Sequence, residues 1–135
     1  MDGTALDRRS FLASLALFPA AVVAGLGTRQ AKARPEVELD SFHVAGYRYH
    51  AGPAVEAALR PGVELRAVRE RANPHDPNAV SIWMRDAMIG YVPRERNAVV
   101  ARMMDAGMEI GFRVAEVRRD AAAWERVRVT ALMGR

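Results

Sequence analysis

Asn73-Pro74-His75-Asp76-Pro77-Asn78 runs directly into Ala79-Val80-Ser81-Ile82-Trp83-Met84, and Arg85-Asp86 separates these from Met88-Ile89-Gly90-Tyr91-Val92. Each proline biases the residue before it away from helix, and Asn and Asp can bond their own backbone, so the first six residues read as a rigid loop. Val80 and Ile82 share one face of a strand, and the polar pair turns the chain into a second short strand. A stiff loop feeding a hairpin belongs to a small β fold.

Reading outward supports the same class. Upstream, Val63, Leu65 and Ala67 alternate over residues 63–69. From Ser41 to Tyr49, Phe42, Val44 and Gly46 alternate against His43, Ala45 and Tyr47. Between these runs Pro53 opens a short helical segment, Ala54 to Leu59, which Arg60-Pro61-Gly62 stops. Downstream, Pro93 begins a helix with Val99, Val100, Met103 and Met104 on one face, and Gly107 caps it. Met108, Ile110, Phe112 and Val114 then alternate strictly, as do Val127, Val129 and Ala131. Six short strands and two short helices predict a mostly β, α+β chain: a small six-stranded OB-like or SH3-like barrel. Closing or nearly closing the sheet removes its vulnerable edges.

The chain has 135 residues, half of them hydrophobic, which suits one folded domain. It has no cysteine, so disulfides, thiolate zinc sites and cysteine nucleophiles are excluded together. The net charge is +4, and of 20 basic residues only Lys32 is a lysine. Arginine's planar fork suits phosphate and carboxylate, although a GC-rich genome produces the same bias. There is no nucleophile elbow, phosphate loop or metal-protease motif. His43, His50 and His75 lack the i, i+4 spacing of a helical metal pair. The expectation is a monomeric non-enzyme without metal or cofactor.

Residues 1–33 differ from the rest. Arg8-Arg9 precede Ser10-Phe11-Leu12, an uncharged apolar run continues to Leu26, and Ala31-Lys32-Ala33 offers small residues around one position. A basic start, apolar middle and A-x-A end describe a secretory signal. The paired arginines followed by x-Phe-Leu resemble the twin-arginine export signal. The apolar run is short for a membrane span and Pro19 interrupts it. The expected organisation is a signal over residues 1–33, a linker over 34–40 and the barrel over 41–135. Cleavage would leave 102 of the 135 residues. Export would place the protein in the periplasm or outside the cell; a non-working signal would leave it cytoplasmic.

Gly46-Tyr47-Arg48-Tyr49, Gly62-Val63-Glu64-Leu65, Arg69-Glu70, Asn73-Pro74-His75-Asp76-Pro77-Asn78-Ala79-Val80 and Ile89-Gly90-Tyr91-Val92-Pro93-Arg94 occur in this order. The ordered set resembles the HIRAN domain, found in Rad5-like and helicase-like transcription factor remodellers and as small stand-alone bacterial proteins. The resemblance spans about Phe42 to Gly107. It implies a modified OB-like barrel that grips single-stranded DNA at its 3′-hydroxyl end and performs no catalysis itself. It also implies roles residue by residue: Arg48 contacts phosphate, Tyr49 stacks on a base, Asp76 receives the terminal hydroxyl, and His75 supplies a ring beside it. Tyr91 and Arg94 fall where the remodellers have a histidine and a lysine. His75 departs from the usual tyrosine there, keeping a planar ring with less stacking surface.

These residue types also make chemical sense without the family. A single-strand binder needs cations along a groove and flat side chains for stacking. An acceptor such as Asp76 repels phosphate and welcomes a hydroxyl. Each residue has a plainer use as well. Asp76 can serve its own turn, one ring of Tyr47 and Tyr49 can be core, and Trp83 and Trp124 read as packing residues. The sequence therefore leaves two expectations: a single-stranded nucleic-acid-binding module, or an exported module that binds a protein partner.

Overall fold

In a computed structural model that describes residues 35–134, the apolar alternations become six antiparallel strands. They are β1 (Val37–His43), β2 (Glu64–Arg69), β3 (Val80–Met84), β4 (Ala87–Tyr91), β5 (Ile110–Val117) and β6 (Val127–Met133). The export-signal reading lies outside the described residues. The two helices are α1 (Gly52–Val55) and α2 (Asn97–Asp105), with 3-10 turns at Tyr47–Tyr49, Glu56–Ala58 and Ala123–Glu125. No described helix is long and apolar enough to cross a membrane.

The strands form one sheet in the order β1-β6-β5-β2-β3-β4. Register breaks at Glu38/Asp40, Ile82/Trp83 and Val114/Glu116 coincide with the curvature such a sheet needs, since an extra residue bends a strand. No ladder joins the outer strands β1 and β4. Just past β1, however, Ala45 N–H donates to Tyr91 O (2.8 Å) and Tyr91 N–H returns to Ala45 O (2.9 Å). That single bridge makes a nearly closed barrel and sets the end of β4 against the chain leaving β1.

The core is the face on which the alternating residues converge. Phe42 and Phe112 meet edge to face with ring centroids 5.9 Å apart, amid Leu65, Val80, Ile82, Ile89, Val114 and Val129. Each such side chain contributes about 1.5–3 kcal/mol by leaving water. α2 turns Val100, Ala101 and Met104 toward this core. Gly107 ends the helix at φ +87°, with its N–H on Met104 O and that of Met108 on Met103 O. This is the Schellman closure, in which glycine bears the left-handed conformation at least cost.

Four sequence expectations need correction. First, β1 begins at Val37 and pairs Val37 with Met133, so residues 37–40 belong to the sheet and not to a linker. Val37 and Leu39 fall out of phase with Phe42 and Val44, and the bulge between Glu38 and Asp40 absorbs the shift, so the alternation does not show in the sequence. Second, the first strand does not reach Tyr49. Gly46, at φ +69°, turns the chain into the 3-10 turn. Third, α2 begins at Asn97 and not at Pro93; residues 93–96 form a turn closed by Arg96 N–H on Pro93 O (2.9 Å). Fourth, Val99 is exposed, and Asn97 takes its place on the buried stripe.

Candidate functional site

The proline-rich loop is built by its own side chains. Glu70 N–H donates to Ala79 O (2.9 Å), closing the base. Asn73 Oδ1 accepts the N–H groups of His75 (2.9 Å) and Asp76 (3.1 Å), while its Nδ2 donates to Glu70 Oε1 (3.1 Å). Asp76 Oδ1 accepts the N–H of Asn78 (2.9 Å), and Oδ2 accepts Nδ2 of Asn97 (2.7 Å). Short polar side chains thus supply the partners that a sheet would otherwise give. The loop holds His75 out in solvent and Asp76 half-buried.

Arg94 reaches across from the 93–96 turn. Its Nη2 donates to His75 O and its Nε lies 3.7 Å from Asp76 Oδ2. The Asn78 N–H, together with the Asn97 amide and the Arg94 charge, outweighs partial desolvation and holds Asp76 below its ordinary value. Asp76 is therefore a carboxylate at neutral pH, and an acceptor only.

Tyr91 stands beside it. Its hydroxyl donates to Glu70 Oε1 (3.0 Å), and its ring meets that of His50 edge to face at 5.5 Å. Burial, reinforced by the Glu70 carboxylate, pushes the Tyr91 phenol up, so it stays a neutral donor. Burial alone would raise Glu70, but hydrogen bonds from Ser81, Asn73 and Tyr91 prevail and keep it below the usual carboxylate range. Glu70 therefore ties the loop and the Tyr91 ring to one anchor at the end of β2.

His50, Asn73, His75, Asp76, Tyr91 and Arg94 line a groove of about 380 Å³. A neighbouring depression of about 690 Å³ shares Ala45 and Arg94 with it and reaches Arg128 and Trp124. A third, of about 480 Å³, shares Trp124 with the second and holds Arg48, Tyr49, Pro53 and Arg126. The three adjoin through these shared residues and are together called the trough, from Asp76, past Arg94, to Tyr49. Four of the six expected residues (His75, Asp76, Tyr91, Arg94) share the first groove, while Arg48 and Tyr49 lie at the far end of the trough.

The 3-10 turn explains the far end. A strand would put Arg48 and Tyr49 on opposite faces, but three residues per turn let both reach solvent while Tyr47 points inward. Tyr47 is 1 % exposed and Tyr49 80 % exposed. Tyr47 is the core ring: its hydroxyl donates to Glu56 (2.8 Å), and Gly52 lies so close beneath that a Cβ there would enter the ring. The Arg48 guanidinium lies over the Tyr49 ring, 6.0 Å from its centre. Among the described residues Arg48 makes no ion pair, whereas Arg96, Arg126 and Arg128 are each paired with a carboxylate.

Trp124 is a further correction. It is 72 % exposed on the Ala123–Glu125 turn and is not a packing residue. Trp83 does pack, under the Arg66 guanidinium at 5.5 Å, with its indole N–H on Ser81 Oγ (2.8 Å). Sequence reasoning also missed His50, Glu70 and Asn97. For Trp124 the available signal was its place between Ala121-Ala122-Ala123 and Glu125-Arg126, where no apolar alternation calls it inward. No cluster of three or more potential metal ligands occurs among the described residues.

The fold and trough define a small, nearly closed antiparallel barrel with a polar, ring-lined cleft at one end. Residues 38–132 match the HIRAN domain, and the chain belongs to that family. It is similar to the crystal structure of a protein from Lactobacillus plantarum, with 28% sequence identity and a TM-score of 0.66. That likeness covers 74% of this chain and 96% of the other. It is also similar in fold to the HIRAN domain of human HLTF, at 20% identity and a TM-score of 0.57, over 73% of this chain and 78% of that one. No curated protein matches the chain.

Proposed function

We propose that this protein is a non-catalytic module that binds single-stranded nucleic acid, with DNA held by its free 3′ end. The observation that carries the proposal is the order of groups along the trough. A half-buried carboxylate lies at one end, Arg94 stands beside it, and Arg48 with two exposed rings lies at the other. Membership of the HIRAN family supports the same class of ligand.

The chemistry assigns a direction. A carboxylate repels a phosphodiester and accepts a hydroxyl, so Asp76 suits the terminal 3′-hydroxyl and disfavours a continuing strand. Arg94 and Arg48 suit the phosphates upstream, and His75, Tyr49 and Trp124 offer faces for the bases. Stacking of this kind contributes ~1–3 kcal/mol per base and tolerates any sequence.

Fluorescence anisotropy with labelled oligonucleotides tests this. Strands with a free 3′-hydroxyl are expected to bind better than the same strands ending in a 3′-phosphate, by about tenfold or more. Affinity should fall as salt rises. Asp76→Asn keeps an acceptor for the Asn78 N–H and removes the charge; it is expected to abolish the preference between ends. Equal and negligible affinity for all strands would end the proposal. A stable protein partner recovered without nucleic acid would favour the interaction-module reading instead.

Export is part of the same proposal and rests on the pattern of residues 1–33. The expected result is a mature chain beginning at Arg34, read by intact mass from the periplasmic fraction. A chain retaining Met1 in the cytoplasm would remove this part alone.

A further inference from the structure

Asn97 is buried, with 2 % of its surface exposed, and is one of only two buried polar residues among those described. Its side chain needs a partner there, because an orphaned buried amide costs ~1–3 kcal/mol. It finds one on another element: Nδ2 donates to Asp76 Oδ2 at 2.7 Å, from the first residue of α2 to the proline-rich loop. The other oxygen of the same carboxylate is held by the Asn78 N–H at 2.9 Å. Both oxygens are therefore pinned, and the carboxylate plane has one orientation. Each ionised oxygen retains a further acceptor site, and these remain for a ligand in the groove.

Arg94 competes for the same atom. Its Nε, on an exposed side chain, already forms a loose ion pair with Oδ2 at 3.7 Å. A charge-assisted, two-pronged Arg–carboxylate pair is the stronger contact when geometry allows it. Without Asn97, Oδ2 would turn further toward Arg94 and the loose pair would tighten into direct hydrogen bonds, occupying the acceptor and donor sites that a ligand would otherwise use. A neutral amide at position 97 orients Asp76 while leaving its charge intact. A lysine or arginine there would cancel the charge that disfavours phosphate.

We propose that Asn97 is the positioning residue of the groove: it keeps the ion pair between Asp76 and Arg94 loose, leaving acceptor sites of the one for a ligand hydroxyl and donors of the other for a neighbouring phosphate. The discrimination between end groups rests on the nucleic-acid reading above; the positioning of Asp76 does not. A purely structural tie between α2 and the loop would move melting temperature alone.

The test has two readouts on the whole chain. In the first, the Asp76 carboxyl is titrated by carbon-detected NMR in the wild type and in Asn97→Ala. Removing the amide exchanges a neutral donor for a tighter pair with Arg94, so the Asp76 midpoint is expected to fall further; a raised or an unchanged midpoint overturns the proposal even if no nucleic acid binds. In the second, Asn97→Ala is expected to cut the affinity ratio between 3′-hydroxyl and 3′-phosphate strands by about fivefold or more. Equal losses for both strands would mark Asn97 as structural and overturn the proposal. Should Asn97→Ala fail to fold, Asn97→Asp decides. Two carboxylates at that separation share one proton at low pH and repel when both ionise. At neutral pH, where both ionise, this repulsion should therefore push Asp76 out of place and cut the affinity for 3′-hydroxyl strands by about fivefold or more. Unchanged affinity for those strands refutes the assignment. A wild type that binds without end preference would sink the 3′-end reading, and the titration would still decide the role of Asn97.

Discussion

Truncating Tyr49 to alanine is expected to weaken binding of single-stranded DNA by roughly 5- to 150-fold, which corresponds to the ~1–3 kcal/mol that one stacked base contributes. The ring is 80 % exposed and packs on no core residue, so its loss should leave the melting temperature essentially unchanged. Trp124→Ala is expected to behave alike, since the indole is 72 % exposed across the same cleft. A single exposed ring needs no explanation, but two lining one cleft form the kind of patch that marks a binding surface. The double variant separates two possibilities. If each ring stacks on its own base, the two losses add; if both clamp one base, the second truncation costs much less than the first. Oligonucleotide length distinguishes them again, because separate platforms need a longer strand before affinity saturates. Full affinity in both single variants, with normal folding, would remove the aromatic end of the trough from the proposed function.

Alternating positions made the barrel readable, and the proline-rich loop made half of the site readable. Phe112 and Val114, Val127 and Val129, and Val80 and Ile82 announce buried faces at a period of two. Asn73, Asp76 and Asn78 announce a loop that satisfies its own backbone. The site residues invisible in the sequence owe their positions to tertiary contacts. Residues 47–49 alternate as a strand does, yet Gly46 turns the chain and Tyr47 docks over Gly52, so Arg48 and Tyr49 emerge together. That rearrangement is what allows a cation and a ring from adjacent positions to serve one cleft. Pro93 is a good first residue for a helix, but the 93–96 turn intervenes and moves the helix start to Asn97. A polar residue at that place reads as a solvated helix end, and only its meeting with Asp76, 21 positions earlier, gives it a buried partner. The sequence places Trp124 inside because large apolar side chains are usually packed; the Ala123–Glu125 turn instead holds it in solvent.

Replacing Gly90 with alanine is expected to cost the domain roughly 3–5 kcal/mol, from backbone strain and overpacking acting together. Gly90 adopts φ +152°, a conformation that L side chains rarely take. A Cβ there would also run into the carbonyl oxygen of Ala45 and Cγ1 of Val44. Backbone cannot step aside as a flexible side chain can. The bridge between Ala45 and Tyr91 is the contact that would yield, and it is the one that brings the outer strands together. A domain of this size loses ~4–8 °C of melting temperature per kcal/mol, so a fall of ~15 °C or more is expected by calorimetry. The functional consequence follows from the same bridge. Tyr91 lines the groove with Asp76, and Ala45 lies where the first groove meets the second, so a variant that still folds should lose end preference together with stability. Gly62→Ala is the matched control, because its φ of +92° carries similar backbone strain while nothing lies within 4 Å of the added carbon. Its loss should be confined to about 1–2 kcal/mol and leave ligand preference untouched. Equal effects in the two variants would show that backbone strain alone acts at Gly90, and that close approach to Ala45 is not what requires glycine there.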